Sequence, residues 1–118
     1  MTFQSDDLGH AIVLSFGRKR LDSVSSADFR EWTRECVRSD CDVYILDLSS
    51  VTFVDSSGIG AIVGLLKHLG KDRKLELCGL NPMVRKVFRL TCLDKVFSIR
   101  KSRKACLDVH QPRLTAIS

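Results

Sequence analysis

The sequence lacks most of the features that would mark a secreted, membrane-spanning or metal-binding protein. No apolar run approaches the roughly 20 residues that cross a bilayer, so no membrane insertion is expected. The opening residues are polar and acidic, so no secretory signal is expected. The five cysteines are an odd number without a C-x-x-C pair, which favours buried, reduced thiols in a cytoplasmic protein. The three histidines stand far apart, so no metal site and no cofactor are predicted.

The charge balance is moderately basic. Net charge is +5 over 118 residues, which permits an acidic partner but does not predict direct nucleic-acid binding. The basic residues fall in four short clusters dispersed along the chain, with little aromatic interleaving, so solvated surface is the default interpretation. Apolar residues make up 44% of the chain, as in an ordinary globular domain.

Apolar runs and helical periodicities alternate along the chain. The order β-β-α-β-α-β-α-β-α predicts a single α/β domain over residues 1–118, with a mixed, mostly parallel sheet and an antiparallel hairpin at its start. The tail after Pro112 is expected to fray. Strands are predicted around Phe3 and over 10–16, 43–48, 74–78 and 95–99, and helices over 26–38, 59–69, 82–91 and 102–111.

Helix boundaries carry their own signals. Ser25 and Asp28 fit a capping box, with Asp in place of the usual Glu or Gln. Asn81 followed by Pro82 predicts an N-cap and first helical residue, and Gly70 predicts a helix end. Core-facing residues are predicted at Ile59, Ile62, Val63, Leu66 and Leu69 of the second helix, and at Val84, Val87, Phe88 and Thr91 of the third.

One stretch couples a strand to a helix through a polar turn. Residues 51–54 are apolar and suit a buried strand, residues 55–58 read Asp-Ser-Ser-Gly, and an amphipathic helix follows at once. Simple capping by Asp55, Ser56 or Ser57 explains part of this pattern. A second role is phosphorylation, because a phosphoserine at a helix amino terminus lies where the macrodipole favours negative charge.

Two catalytic interpretations of the turn fit poorly. A serine nucleophile elbow reads G-x-S-x-G, and the leading glycine is missing here, while no histidine is tied to the turn. The glycines of the following helix have one residue too many for G-x-G-x-x-G, and the chain has no G-K-[ST]. Gly60 and Gly64 are instead expected to let the helix lie close to the sheet.

The run from Asp55 to Gly60, preceded by Leu-Asp-Leu at 46–48 and Val-Thr-Phe-Val at 51–54, resembles the signature of bacterial anti-sigma factor antagonists, the STAS domain family. Residues 79–88 and the apolar positions after them are similar as well. The resemblance covers roughly residues 8–108. It implies a mixed sheet with helices packed mainly on one face, a regulatory protein and no enzyme, so no catalytic residue is expected.

The resemblance also implies site residues and partners. Ser56 would be the phosphoacceptor. The unmodified form would bind an anti-sigma factor with serine kinase activity and free a sigma factor, and a metal-dependent serine phosphatase would reset it. Asp22 matches an acidic loop residue that contacts the partner. The residues expected to bind the partner are Asp22, Ser23, Asp55, Ser56, Ser57, Gly58 and Ile59.

Two positions depart from the pattern of the family. Lys19 stands where the family loop has glycine, and Cys92 stands where many relatives have glycine after the third helix. The alternative function is a STAS adaptor subunit of a transport or stress-signalling complex, in which Ser56 is never modified.

Overall fold

A computed structural model describes residues 3–110, and these form a five-stranded sheet with helices on both faces. The strands of this sheet run in the order β1-β2-β4-β6-β7. β1 pairs antiparallel with β2, and the remaining neighbours pair in parallel. The elements are β1 (Phe3–Asp7), β2 (Ile12–Phe16), β3 (Arg20–Leu21), α1 (Ser26–Cys36), β4 (Val43–Asp47), β5 (Phe53–Val54), α2 (Ser56–Leu69), β6 (Lys74–Cys78), α3 (Pro82–Leu90), β7 (Ser98–Arg100) and α4 (Arg103–His110).

The predicted fold class is confirmed. The antiparallel hairpin at the start and the parallel strands that follow are present in the predicted order. Central strand β4 is apolar toward both faces, with Tyr44 and Leu46 turned to one side and Ile45 to the other, as expected for a parallel strand covered twice. The tail after Pro112 lies outside the described residues.

The two faces of the sheet are covered unequally. The larger core lies between the sheet and helices α1, α2 and α3, and its members include Phe29, Ile62 and Phe88. The smaller core lies under α4, where Cys106 packs against Ile45. Three of the four helices within residues 3–110 therefore share one face.

The buried strand predicted at 51–54 is confirmed only in part, since Thr52 and Phe53 are exposed and the strand is shorter. Only Phe53–Val54 is strand, and it pairs in parallel with Arg20–Leu21 in a separate two-stranded sheet. The backbone carbonyl of Lys19 accepts hydrogen bonds from Thr52 N at 2.7 Å and Phe53 N at 3.2 Å. These contacts bring the loop after β2 against the chain that enters α2.

Several predicted boundaries are confirmed and others are wrong. Asn81 caps α3 through its side chain, and Gly70 closes α2 with φ +76°. The predicted capping box at Ser25 is wrong, since its hydroxyl makes no cap bond and donates instead to the Arg20 carbonyl at 2.9 Å. The last strand begins at Ser98 and not at 95, because 93–95 form a 3-10 turn.

The helix faces also differ in detail from the prediction. In α2 the buried residues include Ala61 and Leu65, while Val63 and Leu66 are only half-buried. Thr91 was expected on the inner face of α3, but it follows the last helical residue and is exposed, with its hydroxyl donating to the Val87 carbonyl at 2.8 Å. The helix ends one residue before that position.

Candidate functional site

Asp55 fixes the junction between β5 and α2. One carboxylate oxygen, Oδ1, accepts a hydrogen bond of 3.0 Å from Gly58 N and so caps the helix. The other, Oδ2, accepts one of 3.2 Å from Ser23 N, in the loop after β3. Because a single rigid side chain serves both segments, the loop and the helix start are held in one arrangement.

The loop from Asp22 to Ser25 is organised around the Asp22 carboxylate. Its Oδ2 pairs with Arg20 Nε at 3.0 Å, and its Oδ1 accepts from Val24 N at 3.1 Å and Ser25 N at 3.2 Å. The Arg20 hydrogen bond, and then those from Ser25 and Val24, hold the pKa of this carboxyl below its ordinary value. Asp22 therefore shapes the loop, while Ser23 and Val24 are its exposed residues.

Ser56 is the first residue of α2 and is exposed, whereas Ser57 is half-buried. Within residues 3–110 no histidine or carboxylate hydrogen-bonds to the Ser56 hydroxyl. Among these residues Ser56 therefore lacks the hydrogen-bonded base that accompanies an activated serine nucleophile. It offers instead an accessible hydroxyl at the positive end of a helix.

Gly58 allows the loop and the helix to touch. A Cβ at this position would overlap the backbone carbonyl oxygen of Leu21 and would lie 2.9 Å from the Leu21 carbonyl carbon. Gly58 is accordingly buried, although it lies in the first turn of α2. Ile59 follows, half-buried against the main core. These two residues therefore support the site from beneath and offer less surface than the flanking loop.

Gly60 and Gly64 do not face the sheet, so that prediction is wrong. They face α1, where the Arg30 guanidinium lies against them: its Nη2 is 3.5 Å from the position of a Cβ at Gly60, and its Nη1 is 2.9 Å from that at Gly64. The missing side chains thus leave room for a cation between two helices. No local pattern points to Arg30, because it lies 30 residues before Gly60 along the chain.

The surface around Ser56 combines apolar and basic side chains. Val24 is 83% exposed, and the Arg20 guanidinium stacks over the Phe53 ring at 4.1 Å from its centroid. A shallow groove beside them is lined mainly by apolar atoms, and an amine stands at its edge. Its lining residues are Thr52, Asn81, Pro82, Met83 and Lys86.

The described residues show neither a metal cluster nor a membrane-crossing helix. Within 3–110 no three His, Cys, Asp or Glu side chains gather as metal ligands do. Among the same residues, none of the helices combines the length and the hydropathy of a bilayer span. The site consists of a loop, a capped helix start and an exposed hydroxyl.

Comparison with known sequences places the chain in a family. The profile of the STAS domain matches residues 5–106. The chain belongs to the STAS domain family. It is 33% identical over 63 residues to the anti-sigma F factor antagonist of Paenibacillus polymyxa, which is 52% of this chain. The match spans about half the length of that relative, 54%.

Solved STAS structures share the fold. An anti-sigma factor antagonist from Mycobacterium paratuberculosis superposes with a TM-score of 0.84 at 23% identity, over 94% of both chains. The Bacillus cell fate determinant SpoIIAA in its phosphorylated form superposes with a TM-score of 0.67 at 22% identity, over 91% of this chain and 98% of that one. At these identities the structures show the STAS fold alone.

Proposed function

We propose that this STAS domain is an anti-sigma factor antagonist controlled by phosphorylation of Ser56. The unmodified form binds an anti-sigma factor that is also a serine kinase, and a sigma factor is thereby freed. The kinase transfers the γ-phosphoryl group of ATP to the Ser56 hydroxyl oxygen, with release of ADP and the hydroxyl proton. A metal-dependent serine phosphatase then removes the phosphate. The protein acts in the cytoplasm of a bacterium and is itself no enzyme.

One observation carries the proposal: the exposed Ser56 hydroxyl lies at the capped start of α2, directly beside the loop that Asp55 holds. A partner that covers this hydroxyl also meets exposed Ser23 and Val24 from the loop. Among the partner-binding residues expected from the sequence, the exposed Ser23 and Ser56 supply contact area, and Val24, which was not among them, adds to it. Asp22, Asp55 and Gly58 act mainly by holding them in place.

The switch needs no change of fold. A phosphate adds a charge of about −1.5 to −2, and the amino end of a helix favours that charge by roughly 0.3–2 kcal/mol. The domain therefore keeps its structure when modified. A docked partner, however, would have to bury a charged, bulky phosphate against a face that fits a neutral hydroxyl, and desolvation of a charged group is costly. The modified form consequently dissociates.

Two relatives support this proposal. The antagonist from Paenibacillus acts, by its name, against an anti-sigma factor, and SpoIIAA is known in a phosphorylated form. Exposed Val24 and the Arg20 guanidinium stacked on the Phe53 ring offer this partner an apolar and a cationic contact beside the loop.

The test joins partner capture to modification. The immobilised wild-type domain should capture the anti-sigma factor from a lysate of its own bacterium, and Ser56→Asp should lose that capture while keeping its thermal midpoint. Incubation of the captured kinase with ATP should add one phosphate to the wild type and to Ser57→Ala, but none to Ser56→Ala. Labelling of Ser56→Ala, or capture of a transport protein with Ser56 unmodified, would overturn the proposal and favour the adaptor function.

A further inference from the structure

We propose that Arg30 holds the phosphate group of phosphorylated Ser56, so that the modified domain carries its own counter-charge in a fixed place. This inference deepens the proposed function and rests on Ser56 being the modified residue. It assigns a role to a side chain on α1 that belongs neither to the polar turn nor to the loop beside it.

Three residues of α2 define the path between the cation and the hydroxyl. Ser56, Gly60 and Gly64 follow each other at intervals of four and therefore lie along one stripe of the helix. Adjacent members of such a stripe have Cβ positions about 6 Å apart. The Nη2 end of the Arg30 guanidinium, 3.5 Å from the Cβ position of Gly60, is the end nearer Ser56 and lies about one helical turn from it.

The direction of side chains on a helix shortens the distance between the guanidinium and a phosphate on Ser56. In a helix each Cα–Cβ bond tilts toward the amino terminus, so the Cβ direction at Gly60 leads toward Ser56. The guanidinium stands between two such positions: its Nη2 end lies 3.5 Å from the Cβ position of Gly60, and its Nη1 end lies 2.9 Å from that of Gly64. A phosphate on the Ser56 oxygen extends outward from the same stripe, and rotation about the arginine side-chain bonds brings the two groups into contact.

Nothing in the described residues competes for the Arg30 guanidinium. Between residues 3 and 110 no carboxylate or carbonyl accepts a hydrogen bond from it. Other arginines are committed: Arg20 pairs with Asp22 at 3.0 Å, and Arg103 pairs with Asp47 at 2.7 Å. Among residues 3–110, therefore, nothing occupies the Arg30 donors before a phosphate arrives.

The chemistry suits this pairing. A guanidinium presents a planar fork of N–H donors that matches two phosphate oxygens, with N···O distances of about 2.7–2.9 Å. The free N–H groups at the start of α2 act on the same phosphate. Held between α1 and α2, the phosphate projects from a fixed place instead of rotating freely, so it blocks the docking face in every modified molecule.

The experiment installs phosphoserine at position 56 during translation, so no kinase is needed. A ³¹P NMR titration then measures the second pKa of the phosphate, which is about 6 in a free phosphoserine. Wild-type protein should give a lower value. Arg30→Gln should raise this pKa by about 0.5 or more relative to wild type, and Arg30→Lys should fall between the two.

Arg34→Gln is the matched control. Arg34 is exposed on α1 one turn beyond Arg30, and its substitution removes the same charge. Its titration should follow wild type closely. Identical titrations for wild type, Arg30→Gln and Arg34→Gln would overturn the role of Arg30. The phosphate is installed without kinase or partner, so a negative titration result does not bear on the proposed function. Conversely, if the wild type failed to capture an anti-sigma factor, the titration would still test the role of Arg30.

The thermal midpoint supplies a second readout. Installing phosphoserine should raise the midpoint of the wild type more than that of Arg30→Gln, because only the wild type gains the guanidinium contact. Circular dichroism of unmodified Arg30→Gln and Arg34→Gln checks that both variants fold. An equal change in midpoint on modification of wild type, Arg30→Gln and Arg34→Gln would also count against the inference.

Discussion

The backbone N–H of Ser23 donates a hydrogen bond of 3.2 Å to Oδ2 of Asp55, and this contact joins two segments that lie 32 residues apart. The same carboxylate caps α2 through Gly58 N. The two bonds use different oxygens, so substitutions can separate the cap from the link to the loop.

Asp55→Ala should lower the free energy of unfolding by about 1–2 kcal/mol, because it removes both the cap and the link. Asp55→Asn should lose less, since an amide oxygen still caps Gly58 N, but its NH₂ group cannot accept from Ser23 N. Urea denaturation measures the first effect, and faster hydrogen exchange at Ser23 N measures the second. Ser23→Ala is the control: the bond uses the backbone, so stability should stay within about 0.5 kcal/mol.

Gly58→Ala should destabilise the domain by about 2–3 kcal/mol, because the new methyl group overlaps the Leu21 carbonyl. Gly60→Ala is the matched control on the same helix. There the added Cβ meets only the end of the Arg30 side chain at 3.5 Å, and the gain in helix propensity should stabilise the domain by up to about 1 kcal/mol. Thermal unfolding of the two variants would refute the close approach if their midpoints coincided.

Asp47 provides a prediction on pH. Burial raises the pKa of this carboxyl, but the hydrogen bonds from Arg103 and Ser49 outweigh it, so the pKa lies below the ordinary 3.8. The stabilisation is therefore fully present above the ordinary value and is lost as the pH falls through the lower folded value. Arg103→Met leaves the Asp47 carboxyl buried but without its guanidinium partner. The pKa of Asp47 should then rise above its value in the wild type.

Carboxyl ¹³C NMR of Asp47 over pH 2–7 checks this change. Asp22 is the internal control, because its pKa is lowered by its own partner, Arg20, at 3.0 Å, and Arg103→Met should leave that pKa unchanged. An unchanged Asp47 titration in Arg103→Met would show that Arg103 does not hold the carboxylate.

Cys92→Gly should raise the thermal midpoint. Cys92 has φ +60° and ψ +15°, the left-handed conformation that disfavours residues with a Cβ by about 1–2 kcal/mol. Glycine removes that strain but gains freedom in the unfolded chain, so the net gain should be about 0.5–1 kcal/mol. Cys92→Ala keeps the Cβ and should leave the midpoint near that of wild type. Equal midpoints for both variants would contradict the strain.

The elements that depend on local signals could be predicted from the sequence. Asn81 with Pro82 and the glycine at 70 mark helix ends whose bonds are made by neighbouring residues, and the apolar run of β4 indicates a strand covered twice. The polar turn with its exposed Ser56 also follows from local pattern, because cap, turn and helix are adjacent in the sequence.

The remaining details depend on contacts between distant segments. Ser25 has the residue type of a cap, but its hydroxyl is taken by the Arg20 carbonyl and the Asp22 carboxylate. Residues 51–54 have strand propensity, but their pairing partner is the loop after β2. The environment of Gly60 is set by a guanidinium from another helix. The spacing of apolar residues in the sequence does not indicate such partners, because these contacts form only in the folded chain.

The pairing of β3 with β5 has a consequence for how a partner recognises the domain. The exposed hydroxyl at 56 and the loop at 23–24 are far apart in the sequence and become neighbours through this short two-stranded sheet and the Asp55–Ser23 hydrogen bond. A peptide cut from 50–66 would carry the serine without half of its surroundings. Any molecule that contacts both segments therefore recognises the folded arrangement, and it does not bind a denatured or newly synthesised chain.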